Sequence, residues 1–129
     1  MTKKVEDLTN EQLDVLVAER VMEWRKCDDC NDAHWIPIGM PDGQHYYAAR
    51  PRWSPTTNIA CAFQVDKPEW EWFFGEKGED LHANVYVASE ESGVYTVIVP
   101  LDPANKTAAY CRGRCIAALK ACGVTEVER

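Results

Sequence analysis

Tyr110-Cys111-Arg112-Gly113-Arg114-Cys115-Ile116-Ala117-Ala118-Leu119-Lys120-Ala121-Cys122-Gly123 is the stretch on which the reading of this chain turns. Its cysteines suggest a metal or disulfide motif. Their spacing suggests packing instead. Cys111, Cys115, Leu119 and Cys122 step by four, four and three residues, which places all four on one helical stripe. A buried cysteine behaves as a small hydrophobe. The pattern predicts a closing helix from about Thr107 to Ala121, ended by Gly123 at C′, with its thiols filling space beneath a sheet. Gly113 inside that helix costs up to about 1 kcal/mol relative to alanine, which points to another backbone passing close to it.

Upstream, the period changes from helix to strand. Leu81, Ala83, Val85 and Val87 alternate with His82, Asn84 and Tyr86, so Leu81 to Ala88 reads as a two-faced strand. Ser89-Glu90-Glu91-Ser92-Gly93 is a turn, and Val94 to Val99 is the return strand. Trp70-Glu71-Trp72-Phe73-Phe74, bounded by Gly75, is a further aromatic strand. Trp53-Ser54-Pro55-Thr56-Thr57-Asn58 leads into a short helix capped by Ser54 or Thr56 and ending near Val65, since Pro68 blocks extension. At the start of the chain, Thr9 and Gln12 form a capping box. Leu13, Leu16, Val17, Val21 and Trp24 then mark a helix from about Asn10 to Arg25. Between these helices, Trp35–Ile38 and Tyr46–Ala48 suggest a loose hairpin, with Pro37 favouring an edge. The order of elements predicts one α+β domain over residues 1–129, an antiparallel sheet flanked by N-terminal and C-terminal helices.

Composition narrows the function classes. The chain has 129 residues, 46% apolar and 27% charged, with a net charge of −7. That balance argues against general nucleic-acid binding, which needs a basic surface to release counterions. It leaves room for a small anion in a local basic pocket, or for a basic protein surface as partner. Met1-Thr2-Lys3-Lys4-Val5-Glu6-Asp7 leads into no apolar run, so no signal peptide is read here, and no window approaches the roughly 18 apolar residues of a membrane span. A cytoplasmic location without membrane contact is expected. Thiols there are normally reduced, so six cysteines are not evidence of disulfides.

Candidate chemistry is sparse. Cys27-Asp28-Asp29-Cys30 has the two-residue spacer that lets two thiolates reach one zinc ion, with His34 and His45 downstream as further ligands. Unliganded loop cysteines are the favoured reading, with zinc second and a redox or disulfide pair last. The redox reading is opposed by the preceding helix C-terminus and by Asp28 and Asp29, all of which disfavour a thiolate. No cofactor is expected, with zinc as the one alternative. No nucleophile elbow, phosphate-cradling glycine loop or His-Glu-x-x-His pattern is present, and a non-enzymatic role is expected. Five tryptophans and five tyrosines are many for this length, which draws attention to the aromatic-basic segment. Tyr46, Tyr47 and Trp53 could stack a base, and Arg50 and Arg52, stiffened by Pro51, could hold phosphate or carboxylate. For most of the set Trp24, Trp53, Trp70 and Trp72 the favoured reading is core, which leaves Tyr46, Tyr47, Arg50 and Arg52 as the exposed candidates.

Taken together, several segments resemble the phage ABA sandwich domain family of small phage and prophage proteins. They are Leu16-Val17-Ala18-Glu19-Arg20-Val21-Met22-Glu23-Trp24, the Trp53-Ser54-Pro55 helix entry with Ile59-Ala60-Cys61-Ala62-Phe63, the Trp70–Val99 sheet region, and Cys115-Ile116-Ala117-Ala118-Leu119-Lys120-Ala121. The resemblance implies a helix-sheet-helix sandwich encoded by a bacteriophage and acting in its bacterial host, and it supplies no catalytic residues. By that analogy the chain is a small binding protein with an anti-defence role. It would sequester a host immune nucleotide signal or block a host defence protein, with a homodimer as one assembly. The rival readings are a structural or regulatory phage module with a protein partner, and a zinc-stabilised domain without a ligand.

Overall fold

The computed structural model describes residues 2–26, 35–38, 53–88 and 93–128. Strand β1 (Thr2–Lys4) and a 3₁₀ turn (Val5–Asp7) precede helix α1 (Asn10–Leu16), which runs into a π-helical turn (Val17–Val21). Strands β2 (Trp24–Lys26) and β3 (Trp35–Pro37) and helix α2 (Ile59–Ala62) come next. Strands β4 (Trp70–Lys77), β5 (Asp80–Val87) and β6 (Gly93–Pro100) lead to helix α3 (Lys106–Ala121) and strand β7 (Glu126–Glu128).

The main sheet is the antiparallel meander β4-β5-β6. Its register puts Trp72, Val85 and Tyr95 in one row, Phe74, Ala83 and Val97 in the next, and Glu76, Leu81 and Val99 in the third. Residues directly opposite each other share a face, so these rows form one apolar surface. Leu81, Ala83, Val85, Val97 and Val99 are buried on it. Each of the larger ones contributes roughly 1.5–3 kcal/mol by leaving water.

Helix α3 covers that surface, packing on β5 and β6. Gly113 is the point of closest approach: a Cβ built there would stand 3.2 Å from the Ala83 Cβ and 3.3 Å from Val99 Cγ2. The close neighbours are side chains of the sheet, where the sequence suggested a passing backbone. Gly123 ends the helix as anticipated, at φ +84. Its N–H donates to the Lys120 carbonyl and that of Val124 to Leu119, which satisfies two of the last orphan carbonyls.

Cys111 and Cys115 are buried and Cys122 is half-buried, but beneath a different layer from the one expected. Cys111 and Cys115 lie two residues before and after Gly113, which is about 200° around the helix in either direction. They therefore face away from the sheet, into the seam between α3 and the N-terminal half. Cys111 is close enough to Cys61 of α2, and Cys115 to Asp14 of α1, for their charges to interact. Consequently α3 is buried on both sides, and Arg114 is buried with it. The α+β class is as expected, with an antiparallel sheet and helices towards both ends of the chain. In the layer order α3 lies between the sheet and the N-terminal helix.

Other elements depart from the sequence reading. The capping box forms as read: Gln12 N–H donates to Thr9 Oγ1 at 3.2 Å and Thr9 N–H to Gln12 Oε1 at 3.0 Å. The helix does not reach Arg25. It widens into the π-helical turn, and Glu23 at φ 58 turns the chain into β2. Strand β2 pairs with β3, so Trp35–Pro37 finds its partner in Trp24–Lys26; Tyr46–Ala48 lies outside the described residues. Helix α2 is one turn long and is capped by Asn58, whose Oδ1 accepts from Cys61 N–H, in place of Ser54 or Thr56. Strand β4 passes through Gly75 to Lys77. The two ends of the chain pair as β1 and β7, an element the sequence reading lacked.

Candidate functional site

Asp14 organises the segment around Trp53. Its Oδ1 accepts from the Thr56 N–H at 3.0 Å and from Thr56 Oγ1 at 2.9 Å, and its carbonyl accepts from Trp53 Nε1 at 3.0 Å. Burial pushes the Asp14 carboxyl above its ordinary value, and the two Thr56 hydrogen bonds oppose that shift only in part. Trp53 is buried, with its ring edge-on to Trp24 at 4.8 Å. Its position is that of a core side chain tying the helix-entry segment to α1. Tyr46, Tyr47, Arg50 and Arg52, the other members of the sequence-read binding set, lie outside the described residues, as do Cys27, Cys30, His34 and His45.

A second centre went unnoticed in the sequence. Arg114 lies with its guanidinium 4.2 Å from the Trp72 ring centroid. Its Nε donates to the Val65 carbonyl at 3.1 Å and Nη1 to the Tyr110 hydroxyl at 3.1 Å. Asp66 accepts from Trp72 Nε1 at 2.9 Å and stands 4.0 Å from Arg114 Nη2. Trp72 stacks on Phe74 with an interplanar angle of 6°, and Phe74 meets Tyr110 at 4.4 Å. Arginine stacking on an aromatic is favourable, and more so when desolvated. The result is a locked aromatic row along β4. The warning sign was available: Arg112 and Arg114 are charged residues in the middle of α3, among residues whose spacing predicts burial.

Phe74 at the end of that row and Tyr110 form one wall of a cleft at the start of α3. The cleft has two adjoining cavities, of about 230 and 470 Å³. Phe74, Leu81, Leu101 and Tyr110 line the smaller, while Glu79 and Asp80 line the larger. Glu76, Leu101 and Lys106 border both, and Lys106 Nζ donates to Glu76 Oε1 at 2.8 Å. The Leu101 N–H donates to the Glu79 carbonyl at 2.8 Å, tying the β4–β5 turn to the chain beyond β6.

The opposite face of the sheet is open. Phe73, Val94 and Ile98 are 56%, 61% and 56% exposed, and Tyr86 is 36% exposed. All lie in the rows that alternate with the buried ones. Asn84, at the centre, spends its amide within the sheet: Nδ2 donates to the Phe73 carbonyl and Oδ1 accepts from Thr96 Oγ1 at 2.6 Å. The middle of the face is thus polar but satisfied, with apolar groups around it.

The thiols of α3 offer little reactivity. Burial pushes Cys111, Cys115 and Cys122 above the ordinary thiol value, Cys115 furthest. A thiol held protonated is a poor nucleophile and a poor metal ligand. Among the described residues no group of three or more His, Cys, Asp and Glu side chains is placed to hold a metal ion, and no helix is long and apolar enough to cross a membrane. Comparison of the chain with protein-family models, with curated proteins and with solved structures finds no match. The likeness to the phage ABA sandwich family therefore rests on the residues that suggested it.

Proposed function

We propose that this chain is a small non-enzymatic protein that acts by binding a protein partner through the open face of the β4-β5-β6 sheet. The observation that carries the reading is the set Phe73, Tyr86, Val94 and Ile98, large apolar side chains left in water on one continuous face. Clusters of this kind on a stable sheet are characteristic of interaction surfaces. A complementary partner presents apolar groups to Phe73, Tyr86, Val94 and Ile98 around a polar centre that meets Asn84 and Thr96. The biological setting we propose is the one the phage resemblance implies: occlusion of a host defence protein. Nucleotide sequestration is the alternative, and it rests on Tyr46, Tyr47, Arg50 and Arg52.

The test is a phage challenge of bacteria carrying defined immune systems, with the protein supplied in three forms. A Phe73→Thr/Ile98→Thr form keeps strand-compatible residues and should lose protection of the phage while keeping its circular dichroism and melting temperature. An Arg50→Ala/Arg52→Ala form should retain protection. Protection by the sheet-face variant at the parental level defeats the proposal. Loss in the arginine variant together with a co-purifying nucleotide transfers the function to the alternative site.

A further inference from the structure

The cleft at the start of α3 is distinct from the open sheet face and has its own chemistry. We propose that it binds an organic cation: a primary ammonium carried on an apolar body. Three features support this. The smaller cavity has an aromatic and aliphatic lining, with Phe74 and Tyr110 in contact at 4.4 Å. Its wall is held before any ligand arrives, because Tyr110 accepts from Arg114 and Phe74 is stacked on Trp72, which Arg114 and Asp66 pin in turn. Such preorganisation reduces the entropy lost on binding.

The second feature is charge. Glu76, Glu79 and Asp80 meet one cation, Lys106, at the cleft. Lys77 is in register with Asp80 but does not border the cavities. Among the described residues neither Glu79 nor Asp80 is in an ion pair. The third is an internal mimic: the protein's own Lys106 ammonium sits on Glu76 at 2.8 Å, where the two cavities meet. An incoming amine would place its body against Phe74 and Tyr110 and its ammonium towards Glu79 and Asp80. The carboxylates supply charge-assisted hydrogen bonds and the rings supply apolar and cation–π contact.

Amide NMR of the full chain with three probes of one shape tests the assignment: phenethylamine, 2-phenylethanol and phenylacetate. Phenethylamine should give saturable shifts at Gly75, Glu76 and Leu101, with affinity about tenfold above the alcohol, the margin a charge-assisted hydrogen bond gives over a neutral one. Phenylacetate should give none. Glu79→Gln/Asp80→Asn should weaken the amine by about fivefold, and Lys106→Met, which releases Glu76, should strengthen it by about twofold to fivefold. Equal binding of amine and alcohol, preference for phenylacetate, or an unchanged affinity in Glu79→Gln/Asp80→Asn would each overturn the assignment. None of these outcomes bears on the sheet-face reading, because the variants leave Phe73, Tyr86, Val94 and Ile98 in place.

Discussion

Replacing Gly113 by alanine should destabilise this protein, although alanine is the better helix former. The helix gains about 0.8–1.0 kcal/mol from the substitution. Against that, the new Cβ would stand 3.2 Å from the Ala83 Cβ and 3.3 Å from Val99 Cγ2, inside the roughly 3.5–4.0 Å at which carbon atoms attract. Ala83 belongs to the central strand of the sheet and has no rotamer with which to yield. Val99 is β-branched and stiff. Relief requires α3 and the sheet to separate slightly along their whole contact, and overpacking of this kind costs about 1–3 kcal/mol. The net expectation is a loss of about 1 kcal/mol, or roughly 3–5 °C in melting temperature for a domain of this size. Urea unfolding followed by circular dichroism measures it, with an unchanged m-value as the sign that only stability has moved. A double-mutant cycle with Ala83→Gly supplies the control. Ala83→Gly alone should cost about 1–2 kcal/mol through the lost methyl and the freed strand backbone. In that background Gly113→Ala should be neutral or stabilising, giving a favourable coupling of about 1 kcal/mol. If Gly113→Ala alone raises stability by the helix-propensity increment, the layers are not in contact there and the packing argument fails.

Arg114→Met removes the donors to Val65 and Tyr110 and the cation over Trp72, and should cost about 2–4 kcal/mol in urea unfolding. Arg114→Lys should recover less than half of that, because an ammonium cannot stack flat and donate in several fixed directions; full recovery would reduce Arg114 to a point charge. The raised Asp14 carboxyl means that the folded state holds this proton more tightly than the unfolded chain does. Its contribution to stability is therefore present at low pH and is lost as pH rises from the ordinary carboxylate value through the folded one. Asp14→Asn keeps the acceptor for Thr56 and should remove that segment of the pH–stability curve, an effect read from melting temperatures on the acid side of neutrality; an unchanged curve would show that Asp14 titrates normally. Cys115 should resist a thiol reagent at mildly alkaline pH in the native protein and react fully in urea, as followed by peptide mass spectrometry; prompt native labelling would place its sulfur in water.

Why some of this was legible in the sequence, and some was not, comes down to the range of the interactions. The capping box, the β5–β6 alternation and the Gly123 terminator are settled within a few residues, and local chemistry announces them. Gly113 was legible for a different reason: a residue that weakens its own helix must be offset by a neighbour, even one not yet identified. Features decided by distant partners were hidden. Thr56 looked like a helix cap, and it spends both its N–H and its hydroxyl on Asp14, 42 residues earlier. The spacing predicts a buried cysteine stripe, and Cys111 and Cys115 are buried, but periodicity gives only the angle between residues and never says which layer lies at that angle. The sheet took the Gly113 side, and the thiols were left to face α1 and α2. The same geometry shapes the candidate sites. Because α3 is covered on both sides, its two central arginines turn to partners within the protein, Arg114 buried and Arg112 half-buried. Arg112 is spent on Asn10 and on the Glu6 and Leu8 carbonyls, and Arg114 on the aromatic row. That second arrangement holds Tyr110 and Phe74 in place as the wall of the cleft. A cation locked into the core to orient rings is what makes the start of α3 a receptor for another cation, since the positive charge stays behind the rings while Glu79 and Asp80 remain at the mouth.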